Sequence, residues 1–393
     1  TSNVRSLAAF IDFRPTDTGL SFLPLSHVLE RTATFLLFHI GASMAYAESL
    51  EAVASNMVEI RPTIVVSVPR LFEKIYARIM DRVMAGSRLK RALFVSALAV
   101  GKKHAARTIA GRPVPPLLGF RRALAKKVVF DKITARTGGR IRYFICGGAP
   151  LAKDIMEFFH ALGLKIMPGY GLTETSPVLT GSAPGRVRLG TAGVPIPGVE
   201  LRIAEDGEIL ARGPNIMMGY YKNEAETREV LKDGWLRTGD IGHLDEDGFL
   251  HITDRKKDII VTSGGKNIAP QPIESLIQAS PYIAGAVVIG SSRRFVSALI
   301  VPEFEKLEAL ARERGWDFRD RSDLSRRPEV ASFLLDEANR MTPGLASYER
   351  VKKIAVLDRD FDIGEGEVTP TLKIRRNFVE RKYAGVIEAL YRE

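Results

Sequence analysis

Apolar residues recur along this chain in short β-branched runs separated by longer stretches of helical period. Thr63-Ile64-Val65-Val66-Ser67-Val68 predicts a buried strand ended by Pro69. Leu71, Phe72, Ile75 and Ile79 then fall on one face of a helix. Ile141 to Cys146 predicts a second strand, Gly147-Gly148-Ala149-Pro150 a turn, Leu151 to Leu162 a helix, and Leu164 to Pro168 a third strand. Strands alternating with helices predict an α/β fold: an open, mostly parallel sheet with helices on its faces.

From about Gly181 the runs become shorter and are punctuated by Gly198, Asp206-Gly207 and Asp247-Gly248. Hairpins and a small β-subdomain are expected there. Beyond Asp254 an α+β pattern resumes, with Ala286 to Gly290 and Ala298 to Pro302 as strands, followed by charge-rich helices. A turn at Thr369-Pro370-Thr371 precedes a last helix, Ile374 to Tyr391. The polar run Asp254-Arg255-Lys256-Lys257-Asp258 marks a junction, and the hinge is expected at Asp254. The domains expected are therefore 1–253, divided into an α/β part (1–180) and the β-subdomain (181–253), and a small C-terminal lid, 254–393.

A chain of 393 residues exceeds one core of ordinary size, in keeping with two or more domains. The single cysteine, Cys146, excludes a disulfide framework and a cysteine-rich zinc site, and suits a reducing, cytoplasmic compartment. The longest apolar stretch, Phe35 to Ala47, contains His39 and is too short to span a bilayer. The opening Thr1-Ser2-Asn3-Val4-Arg5 reads like the middle of a helix, which raises the expectation of a fragment.

The net charge of +11 is unevenly placed. Between Arg82 and Phe130 there are 12 Lys or Arg residues and no Asp or Glu, leaving 45 basic against 46 acidic residues elsewhere. Apolar runs, Ala92-Leu93-Phe94-Val95 and Val114-Pro115-Pro116-Leu117-Leu118, lie in the same stretch. Two readings stand side by side: a pair of solvated basic helices, or a surface that docks peripherally on anionic lipid at the inner face of the membrane. Aromatic residues that would stack bases are nearly absent, so no nucleic-acid partner is expected.

In open α/β sheets ligands bind beyond the carboxyl ends of the strands. Two polar segments fall there: Gly147-Gly148-Ala149-Pro150 and Tyr170-Gly171-Leu172-Thr173-Glu174. Paired glycines let a flat ring or a phosphate approach the backbone, and a tyrosine beside that gap can stack on a base. Thr173 can donate to a phosphate oxygen, and Glu174 offers a hard oxygen to Mg²⁺. A purely structural turn accounts for the same glycines. Neither a P-loop with Gly-Lys-Ser/Thr nor a G-x-G-x-x-G after a strand is found.

The segment "YGLTETSP" (170–177) resembles the core motif of the acyl-adenylate-forming superfamily. In the family's order, "FLPLSHVLERT" (22–32) resembles its histidine motif and "ICGGAPL" (145–151) its adenine-binding segment. "WLRTGDIG" (235–242) and "DRKKDIIVTSGGKNIAP" (254–270) resemble its ribose and hinge motifs, and "PTLKIRRN" (370–377) its terminal lysine motif. The combination is similar to bacterial long-chain fatty acid–CoA ligases. It implies activation of a long-chain fatty acid by ATP with Mg²⁺, giving acyl-AMP, followed by transfer to coenzyme A. Carried over residue by residue, Glu174 would bind Mg²⁺ and Thr173 phosphate. Gly148, Ala149 and Tyr170 would line the adenine slot, with Gly171 also on the cofactor; Asp240 would accept from the ribose hydroxyls, and Arg255 would help hold the ribose or phosphate. His27 would lie beside the carboxylate and the α-phosphate, and Lys373 would steady the same two groups. Asp254 would be the pivot, and Gly264-Gly265 would approach the coenzyme A arm.

Lys373 is expected in the first turn of the last helix, where the helix dipole disfavours a cation unless an anion sits nearby. The family's glycine- and hydroxyl-rich phosphate loop should precede "SNVRSLAAF" and is not in this sequence, so the isolated chain is expected to turn over ATP poorly. Alternatives are a fatty acyl-AMP ligase serving a carrier protein, and a non-catalytic acyl- or nucleotide-binding fragment. A homodimer is a further expected partner arrangement.

Overall fold

The structure, a computed structural model, describes residues 1–369 and 373–392. Pro370 and Thr371 of the expected turn therefore lie outside the described residues. The chain divides into two compact units, one of residues 1–238 with 242–252, the other of residues 239–241 with 253–393.

The first unit is built on a seven-stranded sheet of order β2-β1-β3-β4-β5-β6-β7. Its strands are β1 (Thr18–Ser21), β2 (Ser43–Tyr46), β3 (Ile64–Ser67), β4 (Tyr143–Cys146), β5 (Ile166–Gly171), β6 (Val178–Gly181) and β7 (Val194–Pro195). β1 to β5 are parallel, with Gly19 opposite Ile64, Val65 opposite Phe144 and Ile145 opposite Met167. All four residues of β3 are buried, as a strand covered on both faces requires. β6 and β7 run antiparallel on the far side of β5. The sheet thus continues past the boundary expected at 180, because the chain reverses within Leu172–Pro177 to pair β6 with β5, and β7 then adds to β6.

Helices α1 (Ser2–Phe10), α2 (Val28–His39), α3 (Val53–Ile60), α4 (Pro69–Met84), α5 (Arg88–Ile109) and α6 (Pro116–Ala125) follow in the first half of this unit. A π-helical turn at Lys126–Phe130 leads into α7 (Asp131–Thr134), and α8 (Lys153–Leu162) follows β4. Pro69 stops β3 and opens α4, at a position where a missing N–H costs nothing. The core between α4, α8 and the sheet is aromatic. Phe72 meets Phe144 and Phe159 edge to face, at centroid distances of 5.4 and 5.6 Å.

The small β-sheet has the order β10-β11-β9-β8, with β12 on β11. Its strands are β8 (Glu200–Ile203), β9 (Glu208–Arg212), β10 (Leu231–Lys232), β11 (Trp235–Leu244) and β12 (Leu250–Arg255), with α9 (Glu224–Val230) before β10. At the β8–β9 turn Gly207 takes a φ of +82°, and Asp206 Oδ1 accepts from Glu208 N at 3.1 Å.

The second unit carries a hairpin, β13 (Ile260–Val261) with β14 (Asn267–Ile268), and a three-stranded sheet of β15 (Ile283–Ile289), β16 (Val296–Pro302) and β17 (Val351–Val356). One face packs on α10 (Pro270–Ile277), α11 (Phe304–Arg314), α12 (Arg321–Ser325) and α13 (Pro328–Met341) through Ile277, Val288, Ile300 and Leu334. The other packs on α14 (Arg376–Lys382) and α15 (Ala384–Tyr391) through Val287, Leu299, Val379 and Ile387. Burial on both faces explains the unbroken apolar runs of β15 and β16.

The single last helix expected over 374–391 is therefore two helices, broken at Tyr383. Ile374 forms a β-bridge with Val368, so Lys373 precedes the helix and does not sit in its first turn. Among the described residues no helix is long and apolar enough to cross a membrane.

Close packing of α5 on α8 rests on Gly101, where a β-carbon would fall 2.5 Å from the Ala161 carbonyl oxygen. Gly101→Val is expected to destabilise the first unit by about 1–3 kcal/mol in urea unfolding. Gly119→Ala on α6, where a β-carbon meets nothing within 4 Å, should instead be neutral or slightly stabilising.

Candidate active site

β4 and β5 are parallel neighbours with Cys146 opposite Pro168, so the two polar segments leave their carboxyl ends side by side. Gly147 N donates to Ser67 O at 3.1 Å, continuing the sheet by one residue. A β-carbon at 147 would lie 3.2 Å from Leu29 Cδ2, which places the start of α2 against this turn. Gly148 takes a φ of +85° and, like Ala149, is exposed. A side chain at 148 would be strained, so the backbone there stays accessible to a flat ligand.

The run after β5 is a tight reversal. A β-carbon on Gly171 would lie 1.7 Å from the Pro177 carbonyl oxygen, so only glycine fits. Leu172 N donates to Pro177 O at 3.1 Å and to Thr175 Oγ1 at 2.8 Å. Thr173, Glu174 and Thr175 form one 3₁₀ turn. Thr175 is buried and builds the turn, whereas Thr173 is exposed and Glu174 half-buried. Tyr170 is half-buried at the end of β5. The hydroxyl-rich stretch thus splits into one structural threonine and two groups free to meet a ligand.

Residues 213–223 are laced onto this reversal. Asn215 Nδ2 donates to Thr175 O at 2.8 Å and Val178 O at 3.1 Å, and Met217 N donates to Glu174 O at 2.8 Å. The Tyr220 hydroxyl donates to Glu174 Oε1 at 3.0 Å. Burial, followed by the Glu174 carboxylate, raises the Tyr220 phenol to about 12, so it remains a donor. The sequence reading missed Tyr220. Nothing in its local spacing separates it from the exposed Tyr221, and only the fold brings it to Glu174.

His27 is the N-cap of α2, and its Nδ1 accepts from Leu29 N at 3.3 Å. That acceptor role puts the ring proton on Nε2, and burial lowers the imidazole pKa, so the ring is neutral at pH 7. Besides capping the helix it offers one N–H donor.

In the second unit, Asp240 is 5% exposed and its Oδ1 meets Arg255 Nε at 3.2 Å. Lys373 joins them. Burial lowers its ammonium pKa and Arg255 lowers it further, while Asp240, Asp258 and Asp254 pull it back up. Asp240 and Arg255 on neighbouring strands and Lys373, more than a hundred residues later, thus share one electrostatic locus. Asp254 is buried, and burial raises its pKa. Its Oδ1 accepts from Arg255 N at 2.6 Å and its Oδ2 from Gln271 N at 3.1 Å, capping α10. Gly264 and Gly265 form the exposed tip of the β13–β14 hairpin, with Gly265 at a φ of +71°. Lys373 and the residues after it are anchored to described neighbours. Lys373 N donates to Thr369 Oγ1 at 3.0 Å, and Arg376 pairs with buried Glu274 while donating to Val288 O at 2.6 Å. The sequence reading passed over Arg376 and Glu274 as well.

Among the described residues no three His, Cys, Asp or Glu side chains converge on a metal site. Glu174 stands as a single half-buried carboxylate oriented by a phenol, a donor set that fits a hard cation also held by phosphate oxygens.

This chain matches the AMP-binding enzyme family over residues 1–221 and the AMP-binding enzyme C-terminal domain over residues 257–393. It belongs to the AMP-binding enzyme family. It is 38% identical over 379 residues to long-chain-fatty-acid–CoA ligase FadD15 of Mycobacterium tuberculosis, covering 95% of this chain and 62% of that protein. It is 32% identical over 394 residues to human long-chain-fatty-acid–CoA ligase 1, covering 96% of this chain and 55% of that protein. The chain thus spans less than two thirds of the length of these relatives. Its fold is that of the adenylation domain of the Segniliparus rugosus carboxylic acid reductase, solved with AMP and a co-purified carboxylic acid. That comparison gives a TM-score of 0.73 at 23% identity, over 98% of this chain and 57% of that one. The Bacillus subtilis O-succinylbenzoate coenzyme A synthetase with ATP and magnesium ion gives 0.64 at 23%, over 96% and 64%.

One further group at the start of α2 is perturbed. Glu30 is 1% exposed, its Oε2 has no hydrogen-bond partner, and burial raises its pKa to about 7 despite a hydrogen bond with Ser21. A helix N-terminus favours a carboxylate by at most about 1 kcal/mol when exposed, so burial wins here. Because the unfolded carboxyl ionises near 4.5, stability falls as pH rises from there to about 7 and stays low above. Glu30→Gln is expected to raise stability by about 2–3 kcal/mol at pH 8 and to add little at pH 4. Unfolding curves of both proteins across that range test it, and parallel pH profiles would refute it.

Proposed function

We propose that this chain supplies the adenylating and transferring machinery of a long-chain fatty acid–CoA ligase. In that reaction ATP and a fatty acid give acyl-AMP and pyrophosphate, and the thiol of coenzyme A then displaces AMP. The observation that carries the reading is the convergence of Asp240, Arg255 and Lys373. A carboxylate offers acceptors only, which suits two ribose hydroxyls, and two cations beside it suit phosphate. In this reading Gly148, Ala149, Tyr170 and Gly171 face the adenine and Thr173 meets a phosphate oxygen. His27 offers its Nε2–H to the fatty acid carboxylate. Glu174 would hold Mg²⁺, which when bound offsets the repulsion between the carboxylate and the phosphates.

The small domain, 254–393, would pivot at Asp254 between the two half-reactions, because adenylation gains from a dry site and thioester formation needs an entry for pantetheine. Gly264 and Gly265 would then flank that entry. Release of thioester onto coenzyme A, as opposed to a carrier protein, separates the proposal from its enzymatic rival.

Residues 82–130 support a second element of the reading, docking on anionic lipid. On α6, Leu117 (61% exposed), Phe120 (70%) and Leu124 (55%) lie along one face at helical spacing. Arg121 and Lys127 beside them are exposed too, and the stretch holds no acidic residue. Peripheral contact with the inner face of the membrane would follow.

In the full-length protein, Lys373→Ala is expected to lower fatty-acid-dependent pyrophosphate release by about 10²-fold or more. Transfer from supplied acyl-AMP to coenzyme A should stay within a few-fold. Equal loss in both half-reactions would refute the assigned role, and a wild-type protein inert across fatty acids of increasing length would refute the function. For the membrane element, the Phe120→Ser/Leu124→Ser variant is expected to lose about tenfold or more in sedimentation with phosphatidylglycerol vesicles. Unchanged binding, or equal binding to neutral vesicles, would overturn it.

A further inference from the structure

We infer that Tyr220 is a positioning residue for Glu174, holding one carboxylate oxygen so that the other is presented to a divalent cation. The inference rests on the metal role proposed for Glu174.

The Tyr220–Glu174 contact is the outermost rung of a ladder. Asn215 on Thr175 and Val178, Met217 N on Glu174 O, and Tyr220 on Glu174 Oε1 tie one loop to the reversal after β5 at successive positions. The tyrosine is itself fixed from behind. Its backbone N donates to Thr227 Oγ1 at 2.9 Å, and that hydroxyl donates to Asn223 O at 2.8 Å. Gly219, at a φ of +151°, lets the chain pass this point, since a β-carbon there would meet Thr227 Cγ2 at 2.7 Å. Gly219 therefore sets where the phenol ends up.

A carboxylate on a half-buried side chain rotates freely about its last bond unless something engages it. Once Oε1 accepts the phenol proton, rotation stops and Oε2 faces a fixed direction. Groups that orient a metal ligand in this way commonly govern metal affinity by about 10–100-fold without touching the ion. The neighbours support the same assignment. Tyr221 is 89% exposed and Met218 fully exposed, so within Met218–Tyr221 it is Tyr220 that is turned inward, onto the carboxylate.

The test uses the full-length protein with ATP, without fatty acid, and Mn²⁺ as the probe, with bound metal read by electron paramagnetic resonance. Tyr220→Phe keeps the ring and removes only the hydroxyl. It is expected to weaken Mn²⁺ binding about tenfold, while kcat in a separate assay with fatty acid and saturating metal stays within about twofold. Thr227→Val, which loosens the loop from behind, should weaken binding in the same direction by less. In a Glu174→Gln background Tyr220→Phe should add nothing, because the group it positions is gone. Unchanged Mn²⁺ binding in Tyr220→Phe, or additive losses in the double variant, would overturn the inference alone. A wild-type protein that binds ATP with no dependence on the metal would overturn the proposed role of Glu174 and this inference with it.

Discussion

The parallel register running through β1, β3, β4 and β5 is the constraint on which the candidate site in the first unit depends. Parallel strands all end at the same edge, so the chain leaves Ser21, Ser67, Cys146 and Gly171 in the same direction. The segments that follow carry His27, Gly148 and the run from Tyr170 to Glu174. No sequence proximity is needed to bring them to one edge; the hydrogen-bond ladder does it. The ladder stands because short apolar strands are covered on both faces: Val65 and Phe144 meet the aromatic packing of α4 and α8, while Ile64, Tyr143 and Met167 pack with Ile11, and Val66 with Leu29 and Ala33 of α2. An antiparallel arrangement of the same strands would send alternate loops to opposite edges.

A second regularity is that groups offered to ligands sit beside buried polar groups that build the fold. Thr175 closes the turn that exposes Thr173 and Glu174, and Asn215 braces it. His27 caps α2, and Asp254 caps α10 as it joins Arg255. A hydrogen bond of this kind contributes only about 1 kcal/mol net, but leaving its partner buried and unmade costs about 1–3 kcal/mol. Substituting such residues therefore disturbs folding and chemistry together. Changes that keep the polar geometry, such as removal of one phenolic hydroxyl, separate the two effects better than truncation to alanine.

The strands that form the sheet were legible in the sequence because they are buried on both faces and read as unbroken apolar runs, β-branched at 64–66 and largely aromatic at 143–146. The glycine turn at 147–148 and the reversal at 170–177 were legible for a related reason, since both need residues with unusual backbone freedom. Less local features escaped. β7 is only Val194–Pro195, too short to carry a period, and its membership of the first sheet is fixed by pairing with β6. The break at Tyr383 escaped because Val379 and Ile387 keep helical spacing across it. There the phenol donates to Glu367, a fully buried carboxylate also held by Arg359 and Lys382, and this polar hub decides where the helix ends. Tyr220 and Glu274 matter through partners distant in sequence, which no local pattern announces.

Lys373 owes its electrostatic setting to burial and neighbouring charges. It was expected to be uncomfortable because of a helix dipole, yet it lies before the helix. The discomfort has another source. Burial takes the ammonium out of water and Arg255 repels it, and the pull of Asp240, Asp258 and Asp254 does not restore its ordinary pKa. A cation held below its ordinary pKa gains more from an incoming anion than one in free solution, because the anion replaces the hydration it lacks. Linkage fixes the sign: an anion that prefers the charged lysine must raise its pKa, so proton affinity and anion affinity rise together. In the proposed reading, these surroundings in the second unit would favour a phosphate or carboxylate beside Lys373. That bias comes from Arg255 and from burial, and not from the terminal helix.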